Sequence, residues 1–342
     1  MNRWKYVIPF WPLFNLWIMV FTHGGISSRR VLHFAGISFL LILSEPLRFM
    51  EWVFYSYAIH STPLKEPPVF IIGHWRSGTS FLQDTLAMDP QFHYLSLYRM
   101  ITAPYFLISE PWLFPFLNTI IKKLKLPYGF QRTTLNLSFS GEMDVALTFM
   151  GNHLAYTWAH LLPKKYQELI LNSLKESHQT EWLEDYLFLM KKLQRQRPKA
   201  KIVVKSPGDT ARIKAILRMF PEAKFINLHR DKNQTLHSTF YLWQQIQSNN
   251  AFQRVEETKI KKDIVWTMDY VTQKYMADKN LIPSDQLFEL SFQDLHDFPT
   301  ESLQKIYNQF GWGPLPKHVA EELHQKQGIH QVKDYTDPFT MV

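Results

Sequence analysis

Eight consecutive residues, Gly73-His74-Trp75-Arg76-Ser77-Gly78-Thr79-Ser80, carry the most specific chemistry in this chain. Glycines at 73 and 78 let the backbone turn so that successive N–H groups converge on one anion. The hydroxyls of Ser77, Thr79 and Ser80 are further donors. A helix opening at Thr79 adds unpaired amides and a positive dipole end. The glycine spacing is that of a nucleoside-triphosphate loop, but Thr79 stands where that loop has lysine. The nearest cation is Arg76, inside the loop. The competing reading is a tight strand-to-helix turn with no ligand. A second anion site is suggested by Arg230 and, eight residues on, Ser238. Arginine suits this role because its planar fork takes phosphate oxygens in pairs. Taken alone the pair is uninformative, and a surface salt bridge explains Arg230 as well. Placed after the first loop, it points to a ligand with two separated phosphates.

These residues need a scaffold that delivers them to one edge. Val69–Gly73 is a short apolar run closed by glycine, as in a buried parallel strand. The apolar positions Phe81, Leu82, Leu86 and Met88 make 79–88 the helix that follows. Residues 201–205 and 224–229 read as two more buried strands, with a helix over 210–220 between them that stops at Pro221. Asn233 is placed to cap the next helix, which runs towards Ser248. This alternation predicts an α/β fold with a parallel sheet and crossover helices. Residues 94–200 interrupt it with a largely helical insertion of the kind that shapes a substrate pocket. Its Trp112, Phe114, Pro115 and Phe116 are apolar enough to touch a lipid-like acceptor, although ordinary packing explains them too.

The first 60 residues differ in character. Residues 6–21 carry no charge, 31–43 form a second apolar run, and Gly24-Gly25 and Arg29-Arg30 separate them. Neither run reaches the roughly 20 apolar residues of a bilayer span. Their Trp and Tyr content suits a segment embedded in one leaflet, the alternative being a helical hairpin packed on the catalytic domain. No small-residue cleavage site follows Phe21. The domain expectation is therefore 1–60 as a membrane-associated helical segment and 61–342 as the catalytic domain.

Composition narrows the classes. The 342 residues carry a net charge of +8 and no cysteine, which removes disulfides, thiolate catalysis and cysteine-ligated metals. No histidine spacing suggests a metal site. Basic runs at 122–125, 191–201 and 259–262 read first as solvated helix faces. The basic bias also suits a polyanionic ligand or an anionic membrane, whereas no stacking module for nucleic acid is present.

The stretch PPVFIIGHWRSGTSFLQ closely resembles the loop that binds 3′-phosphoadenosine 5′-phosphosulfate (PAPS) in the sulfotransferase superfamily. It is most similar to a bacterial-type branch with a His-Trp-Arg-Ser-Gly-Thr loop, and the resemblance extends over residues 64–313. It implies a P-loop-like three-layer fold with a central parallel sheet, a helical substrate-pocket insertion and an apolar helical amino-terminal segment. It places the 5′-phosphate contacts on Ser77, Gly78, Thr79 and Ser80, with Arg76 stabilising charge on the leaving phosphate and Trp75 among the cofactor-binding residues. Phe81 falls where relatives stack an aromatic on adenine, although helix packing accounts for it equally. Arg230 and Ser238 match the family's 3′-phosphate element.

The stretch KIVVKSPGDTARI resembles the family's Lys-Ser-Pro segment, with Asp209 where asparagine is usual. Lys205 is placed either to touch the sulfuryl group or to pair with Asp209. Sulfuryl transfer also needs a base. The family carries an acidic stretch where this chain has Glu142 and Asp144, so Glu142 is the first candidate, His74 the second and Asp144 the third. The bland reading makes Ser140 a helix cap with acids in the first turn.

These expectations describe a PAPS-dependent sulfotransferase that needs no metal and moves a sulfuryl group to a hydroxyl or amine, most readily of a lipid or amphiphile. The competing readings are a P-loop kinase and a catalytically dead nucleotide-binding protein. The expected location is the cytoplasmic membrane face in a bacterium, or a Golgi membrane with a lumenal site. The triplets at Asn136 and Asn233 do not separate the two.

Overall fold

A computed structural model describes residues 8–125, 127–128, 131–326 and 339. The main elements, in chain order, are α1 (Trp11–Thr22), α2 (Val31–Ser61), β1 (Val69–Gly73), α3 (Thr79–Leu86), β2 (Phe92–Tyr94), α4 (Phe106–Leu124), α5 (Met143–Phe149), α6 (Gln179–Gln196), β3 (Lys201–Lys205), α7 (Ile213–Met219), β4 (Lys224–His229), α8 (Lys232–Asn249) and β5 (Leu287–Ser291). They divide into two compact units. One comprises residues 64–94, 199–241 and 264 onwards; the other comprises residues up to 63 with 95–198 and 242–263.

The first unit holds a five-stranded sheet in the order β2-β3-β1-β4-β5, every neighbouring pair parallel. Strand β1 is buried on both faces, which explains its unbroken apolar run. Val69 and Ile71 join Leu82 and Leu86 of α3 in one core. On the other face Phe70 stacks on Phe225, with ring centroids 5.5 Å apart, and meets Phe220 at 5.9 Å. The register sets Gly73 beside Leu228, Ile71 beside Lys205 and His229 beside Ser291. The carboxyl ends of four strands therefore lie along one sheet edge, where open parallel sheets bind their ligands.

Two helix starts differ from expectation. The helix over 210–220 is instead a 3-10 turn, Pro207–Ala211, followed by α7. Thr210 is held out of the helix because its hydroxyl bonds both the N–H and the carbonyl of Gly73, at 2.8 and 3.1 Å. Asn233 lies inside α8 and Asp231 caps it: its carboxylate accepts from Gln234 N–H at 2.9 Å. Aspartate is as good a cap as asparagine, so composition alone did not choose between them.

The second unit is mainly helical, with a short antiparallel strand pair, Pro127–Tyr128 and Gln131–Thr134. In α2 the apolar run ends at Glu45, but the helix continues through Pro46 to Ser61. Over Ser28–Ser61 it is long and apolar enough to cross a membrane by length and composition, contrary to the expectation from 31–43 alone. The sequence run was cut short by Glu45, Arg48 and Glu51, yet all three point into the protein. Glu45 binds Arg48 through Oε2 and Nε at 2.8 Å and accepts from Phe10 N–H. Glu51 accepts from Leu107 N–H at 2.7 Å and pairs with Lys192 of α6, itself buried over the Phe106 ring.

Candidate active site

In the sheet unit, β1 ends at Gly73 (φ +136°), where an added Cβ would lie 2.3 Å from the Leu228 carbonyl oxygen. Only glycine lets β1 and β4 approach this closely at the mouth of the loop. Gly78 (φ +99°) opens α3, and a Cβ there would lie 2.5 Å from the Phe292 ring. Between them Ser77 folds the loop inward: its N–H and hydroxyl both donate to the His74 carbonyl, at 3.2 and 2.8 Å. Thr239 donates to the Trp75 carbonyl at 3.3 Å. Leu82 N–H bonds Gly78 O, so the amides of the first turn of α3 have no partner four residues earlier in the helix. Thr79 is buried and Ser80 half-buried at this end. Glycine at 78 thus lets the start of α3 lie against Phe292 and Leu228.

Arg76 is the one non-glycine residue of the loop in the left-handed region, with φ 68°. Such a conformation costs about 1 kcal/mol or more and persists where its surroundings hold it. Two contacts do so. Arg76 Nε donates to Ser238 Oγ at 2.8 Å, and Arg230 Nη1 donates to the Arg76 carbonyl at 3.3 Å. The two segments singled out by sequence therefore meet. The guanidinium of Arg230 lies 4.4 Å from the centroid of the Phe292 ring, and its Nε reaches Gln234 at 3.2 Å. Stacking and the Gln234 bond preorient the fork.

The remaining sequence candidates separate by environment. Lys205 is buried at the end of β3. Asp209 faces Arg212 Nη1 at 3.6 Å. Phe81 is half-buried and packs against the sheet core. His74 Nδ1 lies 2.9 Å from the Trp75 carbonyl; since a carbonyl only accepts, Nδ1 carries the proton. Its Nε2 is buried without a hydrogen-bond partner among the described residues. Burial lowers the His74 pKa to about 4, only partly opposed by the bond to Trp75, so the ring is neutral with a free lone pair on Nε2.

In the helical unit, Ser140 is not the cap of the acidic helix. It bridges to Ser96, and α5 begins at Met143 with Glu142 at the N-cap position. Glu142 makes no capping bond; its Oε2 accepts from the Tyr156 hydroxyl at 2.7 Å. Asp144 is fully buried and accepts from Tyr156 N–H at 3.2 Å. His160, buried beside Trp243 and Tyr166, has its pKa lowered to about 4 by burial, against the opposing charge of Glu142. Tyr156, Thr210 and Phe292 were not singled out by sequence. Phe292 had a signal, since it directly follows the end of β5, and Thr210 lies in the stretch KIVVKSPGDTARI; Tyr156 had none.

Comparison with known proteins identifies the family. Residues 67–314 match the sulfotransferase family, and the chain belongs to it. Similar in sequence is the omega-hydroxy-beta-dihydromenaquinone-9 sulfotransferase Stf3 of Mycobacterium tuberculosis and Mycobacterium bovis. It is 23% identical over 97% of this chain and 88% of its own length. The fold is shared with sulfotransferase STF9 from Mycobacterium avium (TM-score 0.72, 18% identity, 94% of this chain and 82% of that one). Sulfotransferase STF1 from Mycobacterium tuberculosis is similar to the same degree, with a TM-score of 0.72, 16% identity and coverage of 94% and 88%. The protein is a sulfotransferase with a five-stranded parallel sheet and an apolar amino-terminal helix.

Proposed function

We propose that this sulfotransferase moves the sulfuryl group of PAPS to a hydroxyl of a lipid or amphiphile at a membrane and releases 3′-phosphoadenosine 5′-phosphate (PAP). The observation that carries the donor reading is the link from Arg76 to Ser238 and from Arg230 to the Arg76 carbonyl. It joins a loop without the triphosphatase lysine to a second cationic group, as a nucleotide with phosphates at both ends requires. The acceptor reading rests on the apolar surface of residues 8–60 and on the acceptor named for Stf3, a hydroxylated menaquinone derivative.

When bound, PAPS supplies the sulfuryl group, whose bond to the 5′-phosphate oxygen breaks as the acceptor oxygen attacks. The amides of 78–80 and the hydroxyls of Thr79 and Ser80 hold the 5′-phosphate, with Trp75 in the loop beside them. Ser77 keeps the loop in shape. Arg76 leaves Ser238 to neutralise charge on the leaving phosphate, and Ser238 turns with Arg230 to the 3′-phosphate. Lys205 would steady the transferring group, and Phe81 would stack on the adenine. The loop amides and hydroxyls, with Arg76 once released from Ser238, supply most of the rate by stabilising the charge that develops on the leaving phosphate. No metal enters this scheme, since the sulfuryl group carries less charge than a phosphoryl group.

Glu142 takes the acceptor proton, with Tyr156 holding its carboxylate. Asp144 is committed to the Tyr156 backbone, which favours Glu142 of the two acids. His74 is the second candidate, supported by its free Nε2. Calorimetry with PAP and with ATP–magnesium tests the donor reading. PAP should bind more tightly, and Arg230→Ala should weaken it about 10- to 100-fold, as for a charged hydrogen bond. Tighter binding of ATP–magnesium would favour a kinase.

A further inference from the structure

Helix α2 is inverted relative to the usual surface helix. Its charged residues, Glu45, Arg48 and Glu51, are all buried, and every exposed position on it is uncharged. Leu32 and Tyr57, near opposite ends, are 87% and 85% exposed, with Phe39, Leu43 and Phe54 each more than 60% exposed between them. The apolar face runs the length of a 31-residue helix, about 46 Å. A helix facing water does the opposite, because exposing apolar area and burying charge are both costly. Here Lys192, Arg48 and the Leu107 N–H answer the inward carboxylates, so the polar side is satisfied by protein. The outward side is matched to a solvent that is not water.

Helix α4 packs beside α2 and adds a stripe of its own. Trp112, Phe116, Ile120 and Leu124, four residues apart, are exposed on one side. Lys122, Lys123 and Lys125 cluster at its end. An apolar stripe ending in lysines complements acyl chains bordered by phosphate headgroups. The inward side of α2 is covered from Phe34 to Ile59, with α4 and α6 packed on the helix. A crossing would drag Arg195, exposed on α6, into hydrocarbon.

We infer that α2 and the stripe of α4 together form a monotopic docking surface for one leaflet of an anionic bilayer, with α2 lying in the membrane rather than crossing it. The inference deepens the membrane part of the proposed function. It extends the contact beyond residues 1–60 and assigns the lipid preference to the lysines of α4.

Flotation of the full-length chain with phosphatidylcholine vesicles, with and without phosphatidylglycerol, reads the docking without any turnover. The chain should float with both and bind the anionic vesicles more tightly. Lys122→Ala with Lys123→Ala should reduce anionic binding about 30-fold, about fivefold per lysine, and leave neutral binding unchanged. Leu43→Asp with Phe54→Asp should abolish flotation with both vesicle types. PAP binding and circular dichroism establish that each variant is folded. Failure of the wild-type chain to float, or folded Asp variants that still float, overturns the inference. So does concentration-dependent self-association that replaces flotation, since a second copy would then cover the face. Loss of sulfuryl transfer with flotation intact would instead count against the proposed function alone.

Discussion

At the scale of single residues, the acceptor proton has two claimants with different surroundings. Glu142 is half-buried, with its carboxylate fixed by Tyr156, whereas His74 is neutral with its proton fixed on Nδ1. If Glu142 is the base, Glu142→Gln should lower kcat by about 10²- to 10⁴-fold at saturating PAPS, and His74→Ala should cost far less. The reverse order would assign the proton to His74. The donor loop was legible in the chain because glycine spacing, hydroxyls and a missing lysine are composition-level signals. The pairing of Ser238 with Arg76 was not, because it depends on a left-handed backbone at Arg76 that no residue type announces. Tyr156 escaped for the same kind of reason: it meets Glu142 from 14 residues away through tertiary packing alone.

Elements were legible where one period dominates. The three buried strands at 69–73, 201–205 and 224–229 follow from uninterrupted apolar runs between breakers. Helix ends were less so, since Asp231 and Asn233 are equally good caps and only the fold chooses. Sequence alone shortens helix α2, because Glu45, Arg48 and Glu51 look like the end of an apolar element. A hydropathy pattern cannot tell a charge in water from one paired inside the protein. The Lys192–Glu51 pair is what permits that arrangement. Lys192→Ala should destabilise the helical unit by about 3–5 kcal/mol, because it strands a buried carboxylate. Glu51→Gln with Lys192→Met should recover much of the loss. Denaturant unfolding followed by circular dichroism reads both, and equal losses in the two variants would contradict the account.

At the scale of the whole molecule, two histidines, the buried His160 and the half-buried His74 with its enclosed Nε2, tie stability to pH. His74 and His160 both have pKa values lowered to about 4 by burial, against about 6.5 in an unfolded chain. Between these values the unfolded state binds protons that the native state refuses. The contribution is complete above about pH 6.5 and is lost as pH falls towards 4. For the fully enclosed His160 the limiting slope is about 1.4 kcal/mol per pH unit. Unfolding midpoints should fall between pH 7 and pH 5, and His160→Gln should flatten the fall; an unchanged profile would place the titration elsewhere.

The net charge of +8 favours both the proposed anionic donor and the proposed anionic membrane surface, so the two proposals share one electrostatic cause. The most direct test of the central claim follows sulfur. PAPS labelled in its sulfuryl sulfur is incubated with the full-length chain and a bacterial membrane-lipid extract, and the phases are then separated. The account predicts that label enters the organic phase with one PAP released per sulfate moved, and that Arg230→Ala suppresses both. PAP release without organic-phase label, or no release at all, would contradict it.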